Sequence, residues 1–236
     1  MKSERRGSVE LIKYLSEVTR IHKLMAAIYS WIASDLRSVA NQESEFKDLK
    51  YDIGILTSEN PEEINFDPNS HDRLITEMII SRLVDNYQTY LTEVIRAILR
   101  AKPEILRSSE QVKLEYVLNF DNIDALITDL IDQKAYELGH RGFSDLDKWC
   151  DSFLGVQLAR NQPQRDELIE IIETRNLIIH NRSQVNKKYL SKVKGSNLLV
   201  GKMRPINHKY LMVASNLLSL SAMDFDTQVV SKFNLV

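Results

Sequence analysis

The sequence predicts an all-α fold, a bundle of long antiparallel helices, and three observations carry that expectation. Glycine and proline are scarce, seven and five in 236 residues, whereas a turn-rich β fold needs both. Two long stretches, residues 9–40 and 70–99, repeat apolar side chains at steps of three and four, the spacing of one helix face. The composition, 43% hydrophobic and 27% charged, is that of a globular chain long enough for one large domain or two small ones. Long amphipathic helices bury such faces by packing on one another.

Ser8 is the expected N-cap of the first helix. Its apolar residues run from Leu11, Ile12, Leu15, Val18, Ile21, Leu24 and Met25 to Ile28, Ile32 and Leu36, a rod of roughly 45 Å. Residues 43–69, with Gly54, Pro61 and Pro68, break the pattern and read as an acidic loop or linker. Asn69 or Ser70 opens the second long helix, and Pro103 ends it or begins a new turn. Shorter helices are expected over 109–117 and 122–138, with Gly139 and Gly142 bracketing a turn. Residues 144–154 follow, with Ser144 as cap and Asp145 and Asp147 favouring the positive end of the helix. Pro163 suits the first turn of a helix running to about Arg182, and a last helix spans 207–233. Residues 195–205 read as a loop with a short extended piece at 198–200. The domain reading is therefore an N-terminal helix (1–42), a linker (43–69) and a helical core (70–236). The first helix and the core form a single domain.

Several function classes drop out. One cysteine, Cys150, excludes an internal disulfide framework and suits a reducing compartment. The N-terminus lacks the continuous apolar run of a secretory signal, and the longest near-apolar run, residues 24–33, is about half a membrane span. A cytoplasmic protein with no membrane partner is expected. No Cys/His cluster has zinc-ligand spacing, and no phosphate-binding glycine loop, HExxH or GxSxG occurs. No cofactor or metal is expected.

A formal net charge of −2 hides an asymmetry. Residues 43–72 carry nine acids against two lysines, whereas residues 182–209 carry eight bases and no acid. Charge runs are usually solvated faces. A stretch with bases alone is also a candidate for phosphate contact, since neutralising phosphates is what Lys and Arg contribute to nucleic-acid affinity.

The residues with most chemistry lie just before that basic stretch, in ETRNLIIHNRS, residues 173–183. Advancing 100° per residue from Leu168 puts Ile172 at about 40°, Ile179 at about 20° and Ile171 at about −60°, an apolar stripe. Arg175, at about −20°, falls inside it, while Asn176 (about 80°) and His180 (about 120°) lie one turn apart on its flank. A guanidinium aimed at a core needs a carboxylate or dense hydrogen bonding. Two readings stay open: a structural arginine paired with an acid such as Glu93 or Asp85, with His180 a cation at the helix end, or a functional group in a partly dry cleft. Arg175 and His180 point about 140° apart, so one helix alone does not aim both at one point; two copies crossing at a two-fold axis would.

Arg175-Asn176, three apolar residues, then His180-Asn181 resembles the motif of the HEPN superfamily of all-helical RNases and RNA-binding domains. The chain is similar to the bacterial HEPN-like nucleases of the RiboL-PSP-HEPN type. The likeness extends to residues 83–95, to Pro103-Glu104, and to residues 143–149 and 154–156. It covers residues 70–233, and residues 1–69 match nothing in it.

The resemblance implies a metal-independent endoribonuclease acting as a homodimer, with paired motif helices forming one composite cleft. The ribose 2′-OH would attack the adjacent phosphate, leaving a 2′,3′-cyclic phosphate and a 5′-OH. In that scheme His180 transfers the proton, a role typically contributing about 10²–10⁴-fold. Arg175 braces the charge of the phosphorane and Asn176 orients the imidazole. Asn181, Arg182, Lys187, Lys188 and Lys192 are the expected RNA contacts. The implied setting is a toxin or antiphage defence effector restrained by a cognate antitoxin or other defence-system partner. The alternative is a non-catalytic helical module that binds RNA or a partner protein. Glu173 is expected to be solvated, His140-Arg141 to be a helix-end cation pair, and Tyr87, Tyr90 and Tyr116 to be core or interface residues. His22, His71 and His208 have no constellation around them in the sequence.

Overall fold

Ser8 begins the first helix with the bond expected of a cap: its Oγ accepts the Leu11 N–H at 3.1 Å. Its own N–H donates to the Asp226 carboxylate at 3.0 Å, and its hydroxyl does the same. A residue 218 positions away in sequence thus fixes where the helix starts. The computed structural model describes residues 8–41, 68–107 and 112–235, so the inward face expected at Ile28, Ile32 and Leu36 and most of the acidic linker lie outside what it describes. Helix α1 (Val9–Asn41) buries Leu11, Tyr14, Val18, Ile21 and Met25. Ile12 and Leu24, expected on that face, are exposed. α1 rests on α2 and α8, and these two side chains are not covered by that contact.

Helix α2 (Pro68–Ala101) is the central element, packed by α1, α4, α6 and α8. That placement explains why Leu83, Val84, Tyr87, Leu91, Val94, Ile95, Ile98 and Leu99 are all buried. The linker gives way to helix slightly earlier than expected, at Pro68. After α2, Pro103 opens a one-turn 3₁₀ segment, Pro103–Leu106. The helix expected over 109–117 is a single turn, α3 (Leu114–Val117), with residues 108–111 outside the description.

Asparagine caps set the later helices. α4 (Ile123–Gly139), α6 (Gln162–Asn181) and α8 (His208–Phe233) start behind Asn122, Asn161 and Asn207, whose side chains accept a backbone N–H three residues on, each such cap contributing about 1 kcal/mol. α5 (Phe143–Trp149) corrects the expected cap: Gly142 precedes it and Ser144 lies within its first turn. A π turn, Cys150–Leu154, prolongs α5 and closes at Gly155, whose φ of 57° suits a residue without Cβ.

Two further differences concern the segment after α6. Asn186 caps a short helix, α7 (Lys187–Lys192), that the sequence reading did not anticipate. The expected extended piece at 198–200 is not paired; Gln184 and Met203 form the bridge instead. The described residues are thus predominantly helical, without a regular strand. No helix among them is long and apolar enough to cross a membrane. One cluster of buried side chains joins α1, α2, α4, α5, α6 and α8, and a smaller one, Leu177, Val185, Tyr189 and Val193, fixes the 183–206 segment to α6.

Candidate active site

Helix α6 carries the motif along α2, and three named contacts set their register. Ile172 and Leu91 border one small cavity. Arg175 Nη2 lies 2.7 Å from Asp85 Oδ1, and Ser183 Oγ donates to Glu77 Oε1 at 2.7 Å. Contacts move back along α2 as they advance along α6, so these two helices run in opposite directions. Arg175 meets Asp85, one of the two acids named for it; Glu93 is taken by Arg96. The pair is half-open, with the Arg175 side chain 21% and that of Asp85 42% exposed. Arg175 Nε is buried and makes no hydrogen bond, which leaves the guanidinium a donor without a partner.

Asn176 and His180 do not pair as expected. The Asn176 amide oxygen accepts from Arg175 Nη1 at 3.4 Å, so Asn176 leans toward the arginine. His180 is exposed at the last turn of α6 with no hydrogen bond to a described residue. Asn181 turns its amide to the Gln184 carbonyl and helps close the turn. Arg182 and Ser183 follow with φ of 49° and 59°, a left-handed pair that stops the helix and reverses the chain.

The opposite flank of α6 is locked. Glu170 Oε1 accepts from Thr174 Oγ1 at 2.9 Å, Tyr189 Oη at 3.0 Å, and Arg204 Nε and Nη2 at 3.1 and 2.5 Å. Its Oε2 accepts from Tyr210 Oη at 2.8 Å. The Arg204 guanidinium also lies over the Tyr210 ring, 4.8 Å from its centroid. Burial, and then the Glu170 charge, pushes the Tyr189 hydroxyl up to about 12 and raises that of Tyr210 well above its ordinary value, so both remain donors. This hub was not legible locally: on the helical wheel Glu170 faces away from the apolar stripe, and its partners come from residues 189–210.

The hub fixes how the basic stretch is displayed. Two of its eight bases are consumed, Arg204 by Glu170 and Lys192 by Glu173. Glu173 is therefore buried in an ion pair, not solvated as expected. Arg182, Lys187, Lys188, Lys194, Lys202 and Lys209 are exposed and have no ion pair to a described residue. Between α5, α6 and α7 lies a cleft of about 550 Å³ bordered by Asp147, Lys148, Arg165, Glu173, Lys192 and Lys194. It occupies the same flank of α6 as His180, two turns earlier.

The remaining candidates are structural in their contacts. Tyr87 and Tyr90 are buried and bonded to Ser221 and to the Ala222 carbonyl, and Tyr116 bonds Asp129. Arg141 pairs with Glu137. His22 does have a partner, Ser215 Oγ at 2.9 Å.

The chain matches no protein-family model, no curated protein and no solved structure.

Proposed function

We propose that the chain is a metal-independent endoribonuclease of the HEPN class, working as a homodimer of antiparallel helical bundles in a toxin or antiphage setting. The observation that carries this reading is the open end of α6. His180 stands exposed at the last turn of α6, with no hydrogen bond to a described residue, and exposed bases follow it directly. A histidine side chain exposed there can reach a substrate hydroxyl or a leaving oxygen as a proton-transfer group. The half-open Arg175 supplies the charge a phosphorane needs. Arg182, Lys187 and Lys188 lie where an RNA backbone leaving the site would run. Ile179, one turn beyond Arg175 on α6, and Met78, two turns before Asp85 on α2, are 50% and 63% exposed and offer an apolar surface on which a second copy would bring its own His180 near.

The Asp85–Arg175 pair favours a second reading, a non-catalytic module in which Arg175 is an anchor and the surface binds RNA or a protein partner. Incubation of wild type, His180→Ala and Arg175→Ala with labelled single-stranded RNA in EDTA separates the two. The nuclease reading expects cleavage by wild type alone, with cyclic-phosphate and 5′-OH ends. Equal inertness of all three folded proteins, with RNA still bound, would establish the module.

A further inference from the structure

We infer that the groove between α2 and α4, beside the Arg175–Asp85 pair, is a nucleobase site that reads one base of a single-stranded RNA with a preference for adenine over uracil. The inference rests on the RNA reading above but not on cleavage. The groove has a volume of about 300 Å³ and is lined by Asp85, Gln88, Thr89, Thr92, Tyr136 and His140, among others, the lower end of the range for small-ligand sites. Asp85 belongs to both features: it borders the groove and its carboxylate holds Arg175. A base seated here therefore lies next to the arginine that would meet the phosphate.

The platform is already assembled. Tyr136 is 65% exposed and packs on His140, with ring centroids 4.1 Å apart and planes 37° from parallel. The imidazole is fixed, because Nδ1 is 2.8 Å from the Tyr136 carbonyl oxygen. A carbonyl only accepts, so Nδ1 is the donor in this bond. An exposed, immobilised aromatic pair beside a groove is what base stacking uses.

The polar groups decide which base. Thr89 and Thr92 spend their hydroxyl hydrogens on the Asp85 and Gln88 carbonyls, at 2.9 and 3.0 Å, and face a ligand only as acceptors. The Gln88 amide bonds to no described residue and offers one acceptor and two donors, the set that pairs with the N6 and N7 of adenine. Acceptors outnumber donors, which suits a base with an exocyclic amino group and disfavours uracil. The acids at the rim are neutralised, Asp85 by Arg175 and Glu93 by Arg96. Gly139 sets the width: a Cβ there would lie 2.5 Å from Thr92 Oγ1, so α4 approaches α2 as closely as glycine allows.

The test uses the full chain and 2′-fluoro RNA, which lacks the attacking hydroxyl and reports binding alone. Fluorescence anisotropy compares oligonucleotides of A and of U on wild type, Tyr136→Ala, Tyr136→Phe and Gln88→Ala. Expected is tighter binding of A, lost in Gln88→Ala. Tyr136→Ala should weaken binding about five- to hundredfold, as loss of one stacked base does, with an unchanged salt slope, since no phosphate contact is removed. Tyr136→Phe should bind like wild type. Wild-type affinity in Tyr136→Ala, or equal binding of A and U by wild type, overturns the inference, even if the protein cleaves ordinary RNA. Tyr136-dependent binding of A by a protein that never cleaves ordinary RNA supports the base site and overturns the nuclease reading instead.

Discussion

Replacing Glu170 with alanine removes one carboxylate and strands four partners: Thr174, Tyr189, Arg204 and Tyr210. The side chains of Glu170 and Arg204 are 21% and 15% exposed. The pair therefore falls between an exposed ion pair, worth at most about 1 kcal/mol, and a fully buried one, whose breakage costs about 3–5 kcal/mol. A loss of about 2–4 kcal/mol is expected, most of it from the uncompensated guanidinium and the unpaired hydroxyls. At about 2–4 °C per kcal/mol for a chain of this size, Tm should fall by about 4–16 °C. Thermal unfolding followed by far-UV circular dichroism reads this directly. The mechanism also predicts non-additivity. Arg204→Met in the Glu170→Ala background should recover part of the loss, because it removes the stranded charge, with a coupling of about 1–2 kcal/mol. A Tm drop below about 2 °C for Glu170→Ala, or strict additivity of the two substitutions, would refute the hub as the anchor of residues 183–206.

Arg182→Gly separates fold from recognition. Glycine accepts φ of 49° without strain, so stability should hold or rise by up to about 1 kcal/mol, while RNA affinity and its salt slope fall by about one phosphate contact; lower stability with unchanged binding would contradict both parts. Gly139→Ala should cost about 1–3 kcal/mol by forcing Thr92 out of its rotamer, and Thr92→Ala should restore most of it in denaturant titrations. Failure of that rescue would show that the close approach does not limit α4. Alkaline pH gives the fourth expectation. Burial pushes the hydroxyls of Tyr14 and Tyr189 up to about 12, and those of Tyr87, Tyr90 and Tyr210 are raised as well. Folded-state values above the unfolded value near 10 mean that stability is intact below pH 10 and is lost as pH rises from there toward 12. Absorbance at 295 nm should show these tyrosines ionising only as the chain unfolds; full titration near pH 10 with the helix signal intact would contradict it.

What could be read in advance, and what could not, divides along α6 itself. Arg175 was legible because a wheel needs only local geometry: a charge inside an apolar stripe demands an acid on the facing helix, and Asp85 is there. The cap at Ser8 was legible for the same reason, since it binds an N–H three residues on. Glu173 is the glutamate expected to be solvated; the wheel places both it and Glu170 off the stripe, and only the return of Tyr189, Lys192, Arg204 and Tyr210 from later in the chain covers the two. The extended pairing was misplaced for a related reason. The Arg204 N–H donates to the Ser183 carbonyl at 2.8 Å and its guanidinium plugs into Glu170, which draws Met203 to Gln184 and leaves 198–200 at the tip. The consequence is a helix with two different flanks. One is closed by the Glu170 hub and should answer to stability assays, the other ends in exposed His180 and should answer to RNA chemistry, and Arg175, paired yet half-open, lies between them. Substitutions on the two flanks should therefore separate cleanly: Glu170 variants lose Tm first, whereas His180 variants keep Tm and lose function.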